Sequence, residues 1–199
     1  FFINFCALST AKGMIVKMIL WNCLGDSITD DIYVPFHYYT YILEKYPNVK
    51  MKNYGIAGTR IGGHRVCGED EKMMCRRYKE MESADLITVW GGVNDWGQKH
   101  PTLLGEIHDR TEDTFYGALR ILCEGLIKQF PTSQIVFITP IGNDGYEGFA
   151  VYENEFGFTP HNPQDNKLYF IDGLHLSTLG HEKISHIIEE NIKQYILGN

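Results

Sequence analysis

Short apolar runs that read as buried strands alternate along this chain with stretches of helical period, and polar loops rich in glycine follow the first three runs at once. Strands that are apolar along their whole length need cover on both faces, and parallel strands need crossover helices to join them. The alternation therefore constrains the chain to an α/β sheet with parallel strands rather than separate all-α or all-β domains. The predicted strands are residues 17–24 (KMILWNCL), 49–56, 85–90 (DLITVW) and 134–141 (QIVFITPI). Helical spacing covers residues 38–43, ending near Pro47, residues 69–81, the run Phe115, Leu119, Leu122, Leu126 and Phe130, and a closing helix marked by Ile184, Ile188, Ile192 and Ile196 with Ser177 as its N-cap. Residues 96–111 have no period and read as a rim loop.

With 199 residues, 44% of them hydrophobic, the chain has enough apolar surface for one compact domain, assigned to residues 14–199. Residues 1–13 (FFINFCALSTAKG) read as a leader or cloning remnant. A formal charge of -7 gives no electrostatic footprint for nucleic acid, and no apolar run approaches the roughly 20 residues of a membrane span. Cys6, Cys23, Cys67, Cys75 and Cys123 are odd in number and lack paired C-x-x-C spacing, which argues against a zinc site or a complete disulfide framework. Cys23 and Cys123 fall in apolar patterns and read as core thiols, whereas Cys67 and Cys75 flank a polar loop and leave a pairing open. These features fit a soluble protein, with the cytoplasm favoured over secretion.

Chemistry concentrates in four segments: GDSIT around Ser27, NYGIAG ending at Gly58, GGVND containing Asn94, and DGLH carrying Asp172 and His175. Three follow predicted strands, which puts them at the carboxyl end of the sheet, where open α/β sheets bind ligands. Ser27 follows a strand and is expected to open a helix, leaving its backbone N–H free to face a reacting carbonyl while its hydroxyl attacks. A serine there also fits an ordinary N-cap. His175 is the candidate base, with Asp172 three residues earlier to orient its imidazole, although D-x-x-H also fits an Asx-turn before a helix. No G-x-S-x-G elbow is present. Asp26, Asp30 and Asp31 raise a metal-dependent phosphoesterase as a rival, without the expected Asp-x-His and Gly-Asn-His partners.

Taken in order, the four segments resemble the SGNH, or GDSL, hydrolase family from about Lys17 to the C-terminus. The resemblance implies a three-layer α/β/α, flavodoxin-like sandwich around a central parallel sheet. It implies that Ser27, Asp172 and His175 are catalytic and that the Ser27 and Gly58 backbone N–H groups and the Asn94 amide form the oxyanion hole. Arg60, His64 and Trp96 lie just past these segments and are candidate pocket residues. The expected function is a serine esterase that needs no cofactor and no metal, acting on short acyl esters such as acetyl groups on carbohydrate. A lipase, lysophospholipase or thioesterase of the same family, and a non-catalytic ligand-binding protein on the same scaffold, are the alternatives. Between Pro140 and Asp172 the family usually fits another helix and strand. This chain leaves scant room for both, which implies a trimmed sheet or residues missing near 148–151.

Overall fold

Among the described residues every pairing in the central sheet is parallel. In the computed structural model, which describes residues 17–63, 72–98, 101–139 and 163–198, the strands are β1 (Ile19–Gly25), β2 (Val49–Gly55), β3 (Leu86–Trp90) and β4 (Gln134–Ile138). Their spatial order is β2-β1-β3-β4. Successive crossovers leave β1 in opposite directions, so a crevice opens at the carboxyl ends of β1 and β3, the switch point of such sheets.

The helices are α1 (Tyr38–Lys45), α2 (Met74–Arg77), α3 (Val93–Gly97), α4 (Phe115–Gln129), α5 (Pro163–Tyr169) and α6 (Thr178–Leu197). Alternation along each strand distributes side chains to two cores. Ile19, Trp21 and Cys23 of β1 and Trp90 of β3 pack with Tyr38 and Ile42 of α1 and with Ile184, Ile188 and Ile192 of α6. Leu24, Ile87 and Val89 pack on the other face with Met74 of α2 and Ala118, Leu122 and Leu126 of α4. The result is three layers, α/β/α. Complete burial of a side chain such as Leu122 contributes about 1.5–3 kcal/mol. Both long helices begin on side-chain caps: Thr114 Oγ1 accepts from Gly117 N, and Ser177 Oγ from Gly180 N, each at 3.2 Å.

Several local expectations change. Ser27 does not open a helix; it lies in a single turn in which the Asp26 carbonyl accepts from Thr29 N at 3.1 Å and Asp30 N at 2.9 Å. The described part of the predicted helix at 69–81 is one turn, α2, followed by a 3-10 turn at Tyr78–Glu80. Its helical period arises because Met73, Met74, Cys75, Tyr78 and Met81 all enter the second core, whatever the backbone between them does. Cys123 is half-buried rather than core, while Cys23 and Cys75 are buried and burial pushes both thiols up to about 12. Cys67, the other half of the open pairing, lies outside the described residues, as does most of the interval between Pro140 and Asp172, apart from α5. A groove of about 390 Å³ at the β4 edge, between Phe137 and Ile187 of α6, contains none of the four chemical segments.

Candidate active site

The DGLH segment is a loop pinched shut at its base. Phe170 and Leu176 form an antiparallel bridge, and Ile171 N donates to the His175 carbonyl at 2.9 Å. Gly173 takes φ +82°, a left-handed conformation that costs a residue with a Cβ about 1–2 kcal/mol. Asp172 uses its two oxygens for different tasks. Oδ1 accepts from Leu174 N at 3.1 Å and His175 N at 2.8 Å, which is an Asx-turn, while Oδ2 lies 2.7 Å from His175 Nδ1. The two readings of D-x-x-H are therefore compatible: the turn is what aims the second oxygen. Burial alone would raise the Asp172 carboxyl, but the hydrogen bonds from the His175 ring and from the His175 and Leu174 backbones outweigh it and hold it below the usual carboxylate value. With Asp172 ionised, Nδ1–H donates to it, and His175 Nε2 is left as an acceptor 2.9 Å from Ser27 Oγ.

Gly58 and Asn94 reach the same end of the sheet. Asn94 lies in the first turn of α3, after a Gly92 with φ +112°. Its Nδ2 donates to the Thr59 carbonyl at 3.0 Å and lies 3.4 Å from Asp26 Oδ2, contacts with the immediate neighbours of Gly58 and Ser27. Gly58 holds φ +73°, and a Cβ built there would meet open space. The two are tied together by Gln98, whose Nε2 donates to the Gly58 carbonyl at 3.0 Å and to Asn94 Oδ1 at 3.2 Å. Arg60, expected along the pocket, is buried and braces this arrangement from behind, with Nε donating to Gln98 Oε1 at 3.1 Å and a guanidinium N–H to Thr102 Oγ1 at 3.3 Å. Trp96 is half-buried, its ring 6.4 Å from that of Phe115 on α4. His64 lies outside the described residues.

Three buried charged residues support the loops; sequence reasoning weighed Asp26 only as a metal ligand and gave Asp95 and Arg77 no role. Asp95, beside Asn94, accepts from Ile61 N at 2.9 Å, Gly62 N at 3.3 Å and Thr102 Oγ1 at 3.0 Å. Desolvation outweighs these bonds and pushes its carboxyl up to about 6. Asp26, next to Ser27, is pushed up to about 7 by desolvation, against a backbone bond from Ile28 N and the charge of Arg77. The Arg77 guanidinium donates to the carbonyls of Gly25 and Tyr54, the ends of β1 and β2, and to Thr59 Oγ1 at 3.1 Å. It thereby fixes the spacing of the loops that carry Ser27 and Gly58. The segments GDSIT and GGVND drew attention to serine and asparagine, and only tertiary burial shows the supporting role of the adjacent Asp26 and Asp95. Asp30 and Asp31, weighed as metal ligands, serve the backbone N–H of Ala57 and the side chains of Asn53 and Tyr39. Among the described residues no group of three His, Cys, Asp or Glu side chains is arranged to hold a metal ion, and no helix is long and apolar enough to cross a membrane.

No family model and no curated protein matches the chain. Solved structures do. A protein from Lactobacillus plantarum is 28% identical, with a TM-score of 0.73 over 90% of this chain and 98% of its own. A candidate GDSL-like lipase from Bacteroides ovatus is 18% identical, with a TM-score of 0.67 over 89% and 99%. A catalytic mutant of an acetylxylan esterase from Geobacillus stearothermophilus is 20% identical, with a TM-score of 0.57 over 89% and 95%. The parallel sheet with helices on both faces is thus an α/β fold shared with lipase-like and esterase proteins. It is the SGNH-hydrolase fold.

Proposed function

We propose that the protein is a serine ester hydrolase of the SGNH/GDSL family. The observation that carries this reading is the hydrogen-bonded chain Ser27 Oγ, His175 Nε2, Nδ1, Asp172 Oδ2, with links of 2.9 and 2.7 Å, placed at the switch point of the sheet. In the first step the Ser27 oxygen bonds to the ester carbonyl carbon as its proton moves to His175 Nε2. The carbonyl electron pair moves onto oxygen, which is stabilised by the backbone N–H groups of Ser27 and Gly58 and the Asn94 amide. Collapse breaks the bond to the alcohol, which leaves with the proton from Nε2. Water, deprotonated by the same nitrogen, then bonds to the acyl carbon, and the second collapse breaks the bond to Ser27 Oγ, which takes the proton back from Nε2 as the acid leaves. Asp172 keeps the tautomer fixed throughout.

Within that class, short acyl esters on carbohydrate are the proposed substrates. Polar and aromatic loops rather than a long apolar lid flank the site segments, and one neighbour of this fold is described as an acetylxylan esterase. The test is turnover of acetyl, butyryl and octanoyl p-nitrophenyl esters with and without EDTA. The expected kcat/KM is highest for acetyl and unchanged by EDTA. Ser27→Ala is expected to abolish turnover in a folded protein, with a phosphonate adduct mapping to Ser27 in the parent. Near-normal turnover by Ser27→Ala would end the serine reading. A strong octanoyl preference would overturn only the acyl assignment.

A further inference from the structure

Tyr33 adopts a backbone that its residue type avoids. It sits at the centre of a three-residue turn in which Val34 N donates to the Ile32 carbonyl at 2.9 Å, and its φ is +70°. Such a γ-turn with positive φ is rare and strained, above all for a bulky side chain. Among the described residues no other non-glycine has positive φ. The loop is held on its approach to the turn: Asp30 Oδ2 accepts from Ala57 N at 2.7 Å, and Asp31 Oδ1 from Asn53 Nδ2 at 2.9 Å and from the Tyr39 hydroxyl. Strained residues of this kind persist only where their surroundings over-determine them, and they concentrate at working sites.

What the turn accomplishes is a contact. The Tyr33 ring lies on the His175 imidazole, with centroids 4.0 Å apart and planes 26° from parallel. Tyr33 remains 54% exposed, so burial of its ring does not explain the strained backbone. We propose that Tyr33 is a positioning residue that acts through His175, an inference that rests on the serine-hydrolase reading above. Asp172 and Ser27 hold the imidazole at its two nitrogens, and neither bond resists tilting about the line that joins them. The Tyr33 face does. It also presents a π-system to the imidazolium that forms when Nε2 takes the Ser27 proton, an arrangement that favours the cation.

The experiment compares Tyr33→Phe, Tyr33→Leu, Tyr33→Ala and Tyr33→Gly in the full chain, by steady-state hydrolysis of p-nitrophenyl acetate and by the rate of covalent phosphonate labelling at Ser27. Tyr33→Phe keeps kcat and labelling within about twofold, because the face and not the hydroxyl makes the contact. Tyr33→Leu and Tyr33→Ala lower both on the order of tenfold with KM little changed. Tyr33→Gly melts at a higher temperature than Tyr33→Ala, the reverse of the order at an unstrained site. Wild-type kcat in a folded Tyr33→Ala protein overturns the proposal, as does a loss confined to KM or a Tyr33→Phe defect as large as that of Tyr33→Ala. An active parent with unaffected variants removes only the role of Tyr33, whereas a parent that neither turns over esters nor labels at Ser27 removes the serine reading and this inference together.

Discussion

Asp26→Asn should remove the pH dependence of stability that a buried carboxyl imposes. Asp26 is 1% exposed, and desolvation pushes its pKa from 3.8 to about 7. Below the lower value both folded and unfolded chains are protonated there, and the residue contributes no pH dependence. Between the two values the unfolded chain has released the proton and the folded chain still holds it, so stability falls as pH rises. Above about 7 the carboxylate is ionised in both states and the penalty stays constant. Integrated from pH 4.5 to 8, the difference is about 3 kcal/mol, which asparagine does not incur. Urea unfolding followed by the fluorescence of the buried Trp21 and Trp90 measures it, with equal m-values in both proteins as the control. Relative to the parent, Asp26→Asn should gain about 3 kcal/mol as pH is raised from 4.5 to 8, whatever its offset from the lost contacts with Ile28 and Asn94. Stability curves that stay parallel within about 1 kcal/mol would show that Asp26 titrates as an ordinary carboxyl, and the argument from desolvation would fail.

Two further substitutions separate packing from backbone conformation. Leu122→Ala removes a fully buried side chain between α4 and the sheet and should cost about 2–5 kcal/mol in the same unfolding assay; a loss under 1 kcal/mol would mean the second core is not packed as described. Gly58→Ala meets open space but must hold φ +73°, so about 1–2 kcal/mol of destabilisation is expected without a steric clash, and a neutral effect would place Gly58 in a different conformation.

The order of apolar runs was enough to foresee a parallel α/β sheet, because a strand buried on both faces must be apolar at nearly every position, as KMILWNCL and DLITVW are. It also put three segments at the carboxyl end of the sheet, since each follows a strand directly. Helix caps at Thr114 and Ser177 are local, and Ser177 was read from its neighbours alone. What the sequence left undecided depends on contacts between distant residues. Ser27 and His175 are 148 residues apart, and only the packing of α6 against β1 and α1 brings the DGLH loop to the turn after β1. The same dependence hides Asp26 and Asp95, which look like surface carboxylates until tertiary burial removes their water and raises their pKa values. Gln98 reads as a loop residue and Arg60 as a pocket residue because nothing local reveals that Gln98 joins Gly58 to Asn94 and that Arg60 braces Gln98. Tyr33 is the extreme case: local preference argues against its backbone, and the strained turn makes sense only once His175 arrives from the far end of the chain to meet its ring.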